Sequence, residues 1–105
     1  MATHINYAPQ ELNELVQQGS VFLVDVREAH EYASGHIADA ILFPLSTFDP
    51  AQLPDAQGKP LVFYCAGGVR SMHAIAYCTQ AGLAHNAHLA GGIKAWATLG
   101  LPIQK

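Results

Sequence analysis

Two unbroken apolar runs, Val21-Phe22-Leu23-Val24 and Leu61-Val62-Phe63-Tyr64, constrain the fold more than any other feature of the chain, and each leads into a residue able to do chemistry, Asp25 and Cys65. A strand with one wet face alternates apolar and polar residues, whereas an unbroken run suits a strand covered on both faces. The runs therefore predict a parallel sheet lying between layers of helix. Pro9 to Gln18 fits a helix, with proline in a first-turn position, Leu12, Leu15 and Val16 at helical spacing and Gly19 as a stop. Ala40 to Pro44 reads as a second short strand, followed by a Pro/Asp-rich connection from Thr47 to Pro60 that holds a helical turn around Pro50 to Leu53. Leu61 to Tyr64 is the central strand. Ser71 to Ala81 then predicts a helix closed by Gly82, Ala87 to Ala90 a further strand, and Gly91-Gly92 a turn into an Ile93 to Leu99 helix that carries Trp96. The expected class is α/β, a doubly wound, mainly parallel sheet with helices on both faces. Ligands in such folds bind beyond the carboxyl ends of the strands, where Asp25 and Cys65 both fall.

The 105 residues make one domain, without internal repeat or linker. Half of them are apolar and the formal charge is only -3, which argues against a nucleic-acid surface or a disordered tail. No apolar run approaches the ~20 residues that span a bilayer. Two cysteines and no apolar leader point to a reducing, cytoplasmic setting. The expected partners are small molecules or proteins, with no nucleic acid, membrane or cofactor.

The chemistry concentrates in Cys65-Ala66-Gly67-Gly68-Val69-Arg70-Ser71. Gly67 and Gly68 let the backbone curl after the strand so that N–H groups turn inward on the sulfur as an anion-binding nest. The helix behind adds the partial positive charge of its N-terminus. Both effects favour a thiolate, so Cys65 is the candidate nucleophile. Arg70 closes the loop with an always-charged fork, suited to an anionic ligand or to pinning the loop on a carboxylate. Ser71 caps the following helix or donates to the sulfur.

Three segments in this order and spacing, DVREAHEYASGHI at Asp25 to Ile37, CAGGVRS at Cys65 to Ser71 and LAGGIKAW at Leu89 to Trp96, give the chain a resemblance to the single-domain rhodaneses, a sulfurtransferase family, over about Ile5 to Pro102. The resemblance implies a sheet of about five strands in the doubly wound arrangement. It also implies that Cys65 carries sulfur as a persulfide, and that the amides of Ala66, Gly67, Gly68, Val69, Arg70 and Ser71 hold the charged terminal sulfur. The donor is then thiosulfate or a low-molecular-weight persulfide, and the acceptor cyanide, a thiol or a protein cysteine. Related dual-specificity phosphatases place the arginine one position further from the cysteine, whereas Arg70 follows Cys65 by five, a ring better sized for a single sulfur than for a tetrahedral oxyanion. Thiosulfate-preferring members often carry basic residues where this chain has Ala66 and Gly67, and mercaptopyruvate-using members lack the arginine at the loop end. Thiosulfate ranks first as the family's usual assayable reaction. The rival readings are a non-catalytic rhodanese-like binding module, which loss of the cysteine would mark, and a protein-to-protein sulfur relay.

Outside the loop, Asp25 and Arg27 are candidates to flank the pocket, Arg27 because its family counterpart lies there. Asp25 also suits a structural role, and Arg27 and Glu31 are spaced to pair across one helical turn. Glu28, Glu31 and Tyr32 read as a helix face and Gly35-His36-Ile37 as a turn, with His36 structural. Six histidines match no zinc spacing, His85 and His88 included. Cys78, about 12 Å from Arg70 along the helix axis, reads as core rather than as a disulfide partner of Cys65, and Trp96 as a core anchor.

Overall fold

The expected central strand is central, and everything else is arranged around it. The computed structural model describes residues 4–105. In chain order the elements are β1 (Ile5–Tyr7), α1 (Pro9–Gln17), β2 (Phe22–Asp25), α2 (Ala29–Ser34), β3 (Ile41–Leu42), two short 3-10 turns (Leu45–Thr47 and Pro50–Gln52), β4 (Leu61–Tyr64), α3 (Val69–Gln80), β5 (Ala87–Leu89) and α4 (Gly92–Thr98). The sheet has the order β1-β5-β4-β2-β3 and every pairing is parallel. All four residues of β4 are buried, as an unbroken apolar run demands.

Successive side chains of β4 point to opposite faces and found two cores. Val62 and Tyr64 pack with Leu12 of α1 and with Ile93 and Trp96 of α4. Leu61, Phe63 and Cys65 pack with Ala74, Ile75 and Cys78 of α3. Cys65 thus leaves the sheet toward the α3 side, directly under that helix's N-terminus.

Four details differ from expectation. β1 has no unbroken apolar run to announce it, because it is a three-residue edge strand with little burial. The Ala40 to Pro44 strand contracts to Ile41–Leu42, although Phe43 N–H still bonds the Asp25 carbonyl and, past Pro44, Leu45 N–H bonds the Val26 carbonyl as the chain enters a 3-10 turn. The 3-10 turn at Leu45–Thr47 was not anticipated. The helix expected from Ser71 begins at Val69, which puts Val69, Arg70 and Ser71 into its first turn and bears on the site.

Candidate active site

Cys65 caps two structures at once. It follows the last residue of β4, and its sulfur accepts the Gly68 N–H at 3.1 Å and the Ser71 N–H at 3.4 Å. Gly68 takes φ +98° as the N-cap of α3, a conformation that favours glycine, and no side chain caps that helix end. Sγ of Cys65 takes the cap's place: the orphan amide of Ser71, third residue of the helix, is satisfied by sulfur, and the positive end of α3 faces it. Of the amides expected to line the cradle, those of Gly68 and Ser71 reach Sγ among the described residues.

The second glycine pair holds the loop from the other side. α4 offers its free N-terminal amides to the loop carbonyls, Ile93 N–H to Cys65 at 2.9 Å and Lys94 N–H to Ala66 at 3.0 Å. This close approach requires Gly92: at its φ of +65°, a Cβ would lie 2.5 Å from the Cys65 carbonyl oxygen and nearer still to that of Ala66. Gly68 stacks on Gly91 in the same way, where a Cβ would come within 3.3 Å of the Gly91 nitrogen. The CAGG and LAGG segments therefore meet as one backbone-on-backbone junction.

Arg70 does not stand free. Its Nη1 and Nη2 form a fork on Glu31 at 2.7 and 2.9 Å, with about a third of the arginine side chain exposed. This pins the loop to α2 and corrects the expected Arg27–Glu31 pair. Glu31 also closes a capping box at the start of α2, accepting the Glu28 N–H. The hydrogen bonds from Arg70 lead in lowering the Glu31 carboxyl from 4.5 to about 2, against the opposing effect of burial. Arg27 turns the other way, its Nε and Nη2 on the Asp25 carboxylate at 2.7 to 3.0 Å and Nη2 also on the Gly35 carbonyl. The pair is buried, beside the ring of Tyr64. Asp25 and Arg27 come together as an internal clamp that neutralises both charges, rather than as free groups aimed at a ligand. Burial, then the Asp25 carboxylate, push the Tyr64 phenol up.

Ser71 donates to the sulfur through its amide, while its hydroxyl takes neither expected role. Its hydroxyl is inside the helix, 3.3 Å from the Gly68 carbonyl, 3.7 Å from Cys65 Sγ as the acceptor of the thiol, and 2.7 Å from Nδ1 of His88. His88 lies on β5, where it is 4% exposed, and its Nε2 meets the Asn6 carbonyl oxygen on β1 at 2.7 Å. His88 and Glu31 are the site neighbours that sequence reasoning missed. The available signal for His88 was a polar residue inside the short apolar strand Ala87-His88-Leu89. Cys78 and Trp96 are core as expected. Burial pushes the Cys78 thiol up to about 11, and the Trp96 indole N–H is satisfied by Pro102 carbonyl. His36 stacks flat on Tyr32 at 3.8 Å.

The arrangement can hold an anionic sulfur: a buried cysteine, amides and a helix end aimed at it, and a loop clamped by α2 on one side and α4 on the other. Comparison with known proteins agrees. A family model described as Rhodanese-like domain matches residues 8–99. The chain is 39% identical to a protein named Sulfurtransferase from Allochromatium vinosum, over 85% of this chain and 83% of that one. It is 46% identical to the uncharacterized protein slr1261 of Synechocystis, over 98% of this chain but only 58% of that relative's length. The crystal structure of a rhodanese-related protein from Thermoplasma volcanium superposes with a TM-score of 0.81 at 29% identity, covering 96% of this chain and 98% of that one. The matched span, the five-stranded parallel sheet and the glycine-clamped cysteine loop agree: the chain belongs to the rhodanese-like domain family.

Proposed function

We propose that this domain is a sulfurtransferase in which Cys65 carries sulfane sulfur as a persulfide. The observation that supports it most directly is the pair of amides, from Gly68 and Ser71, on Cys65 Sγ at the N-terminus of α3. In the first step the Cys65 thiolate attacks the outer sulfur of the donor. The donor's S–S bond breaks, and the remainder leaves with the bonding electron pair, as sulfite from thiosulfate or as a thiolate from a persulfide. Cys65 is left as an anionic persulfide within the amide cradle, where each well-aimed donor is worth about 3 kcal/mol. In the second step cyanide or a thiolate attacks the terminal sulfur, takes it, and returns Cys65 to thiolate. This is ping-pong covalent catalysis.

The geometry bears on the donor. Arg70 is the one charged side chain between Cys65 and Ser71, and Glu31 neutralises it. That favours a low-molecular-weight persulfide over the thiosulfate dianion. The pairing also disfavours a phosphatase reading, which needs the loop arginine free for the phosphate. The test is intact-protein mass spectrometry of wild type and Cys65→Ala after exposure to glutathione persulfide or thiosulfate, followed by a cyanide chase. The expected result is a gain of one sulfur atom on wild type alone, faster from the persulfide and removed by cyanide. No gain from either donor overturns the small-donor reading.

A further inference from the structure

Cys65 is buried, and its thiol has to lose a proton before it can attack. A chain of polar atoms leads from it across the sheet: Sγ to Ser71 Oγ at 3.7 Å, Ser71 Oγ to His88 Nδ1 at 2.7 Å, and His88 Nε2 to Asn6 Oδ1 at 2.7 Å. Chemistry sets the direction of each link. The Asn6 carbonyl oxygen only accepts, so Nε2 carries the ring hydrogen and Nδ1 is the open acceptor. The single hydroxyl proton of Ser71 then goes to Nδ1 at 2.7 Å, the shorter of its two acceptor contacts, rather than to the Gly68 carbonyl at 3.3 Å, and its oxygen is left to receive the thiol proton. The imidazole is the one polar side chain of β5, whose other residues, Ala87 and Leu89, are apolar and buried.

We infer that His88 is a positioning residue for sulfur transfer, which acts through Ser71 to take up the proton that Cys65 gives up on becoming a thiolate and to return it when the thiol is restored. The Cys65 S–H bond breaks as a new Ser71 O–H bond forms, and the old Ser71 proton passes to Nδ1. No electrons change hands. The products are a thiolate under the loop amides and an imidazolium still hydrogen-bonded to Asn6. Three elements and the N-terminal segment present groups to this ring. Cys65, which follows β4, reaches it through Ser71 of α3, Asn6 of β1 holds Nε2, and His4 lies with its ring centroid 5.6 Å away. Burial first, and then His4, push the imidazole's titration down, so the ring is neutral at rest and free to accept.

The inference rests on Cys65 as the nucleophile of the proposed reaction, and it is tested by a reaction that needs neither sulfur donor nor acceptor. The rate of Cys65 alkylation by iodoacetamide is followed against pH on the full chain, alongside the NMR signal of the His88 ring, for wild type, Ser71→Ala, His88→Gln, the double variant and Asn6→Asp. In wild type the His88 signal is expected to step at the pH where alkylation rises, and to shift that step once Cys65 is alkylated. Ser71→Ala and His88→Gln are each expected to slow alkylation near pH 6 about tenfold, with the double variant no slower than either. Asn6→Asp places a carboxylate on Nε2, makes the ring more basic, and is expected to move both the His88 step and the alkylation midpoint to higher pH while raising the alkylation rate reached on the plateau. A His88 signal indifferent to Cys65, or a His88→Gln protein alkylated like wild type, overturns the relay. If His88→Gln fails to fold, the wild-type coupling and Asn6→Asp still decide. A protein that passes these tests yet takes no sulfur would refute the proposed reaction and leave the relay standing.

Discussion

Cys65 and Cys78 belong to the same apolar cluster, yet they are opposite kinds of thiol. Cys78 is held protonated by burial alone, which pushes its thiol up to about 11. Cys65 meets two amides and a helix end. At neutral pH the native protein should therefore take up one alkyl group, on Cys65, and Cys65→Ser should take up none until it is unfolded; peptide mapping after alkylation checks both. The Asp25–Arg27 clamp is a residue-scale device of the other sort, all structure. Arg27→Met strands a fully buried carboxylate beside Tyr64 and is expected to destabilise the fold by about 3–5 kcal/mol in denaturant titration.

At the scale of elements, the site is where helix ends converge. α3 directs its N-terminal amides at Sγ, and α4 directs its own at the carbonyls that flank Sγ. Gly92 is the contact point, and a methyl group there collides with backbone that cannot swing aside. Gly92→Ala should cost roughly 3 kcal/mol and slow persulfide formation more than tenfold. Gly100→Ala, at φ +72° with open space around it, carries backbone strain alone and should cost roughly 1 kcal/mol with sulfur uptake unchanged. Thermal melts and mass spectrometry separate the two effects. α2 joins the loop through Glu31–Arg70. Because the fold lowers the Glu31 carboxyl from 4.5 to about 2, the stability it contributes is complete above about pH 4.5 and is lost as pH falls toward 2. The pair is partly exposed, so that contribution is about 1 kcal/mol. Glu31→Gln should remove this part of the acid dependence, read as a flatter plot of unfolding midpoint against pH.

Across the whole molecule, the two apolar runs announced their own environment. β2 and β4 lie side by side, β4 wholly and β2 largely buried, in a parallel sheet with helices on both faces. The glycine pairs, Cys65 and the core roles of Cys78 and Trp96 were legible for the same reason, since each follows from short-range rules on backbone freedom or burial. Partner choice was not legible. Arg27 and Glu31 stand at helical spacing, but Arg27 precedes α2, where its backbone is not yet helical and its side chain folds back on Asp25. Glu31 instead takes an arginine 39 residues away. The composition, apolar periodicity and loop glycines of the sequence determined a doubly wound α/β domain with a cysteine at the carboxyl end of its central strand. Only the sheet order β1-β5-β4-β2-β3 decided the rest. By setting β5 against β4 and β1 against β5, it brought His88 to Ser71, Asn6 to His88 and the start of α4 onto the cysteine loop, contacts between residues too far apart in the chain for any local preference to specify.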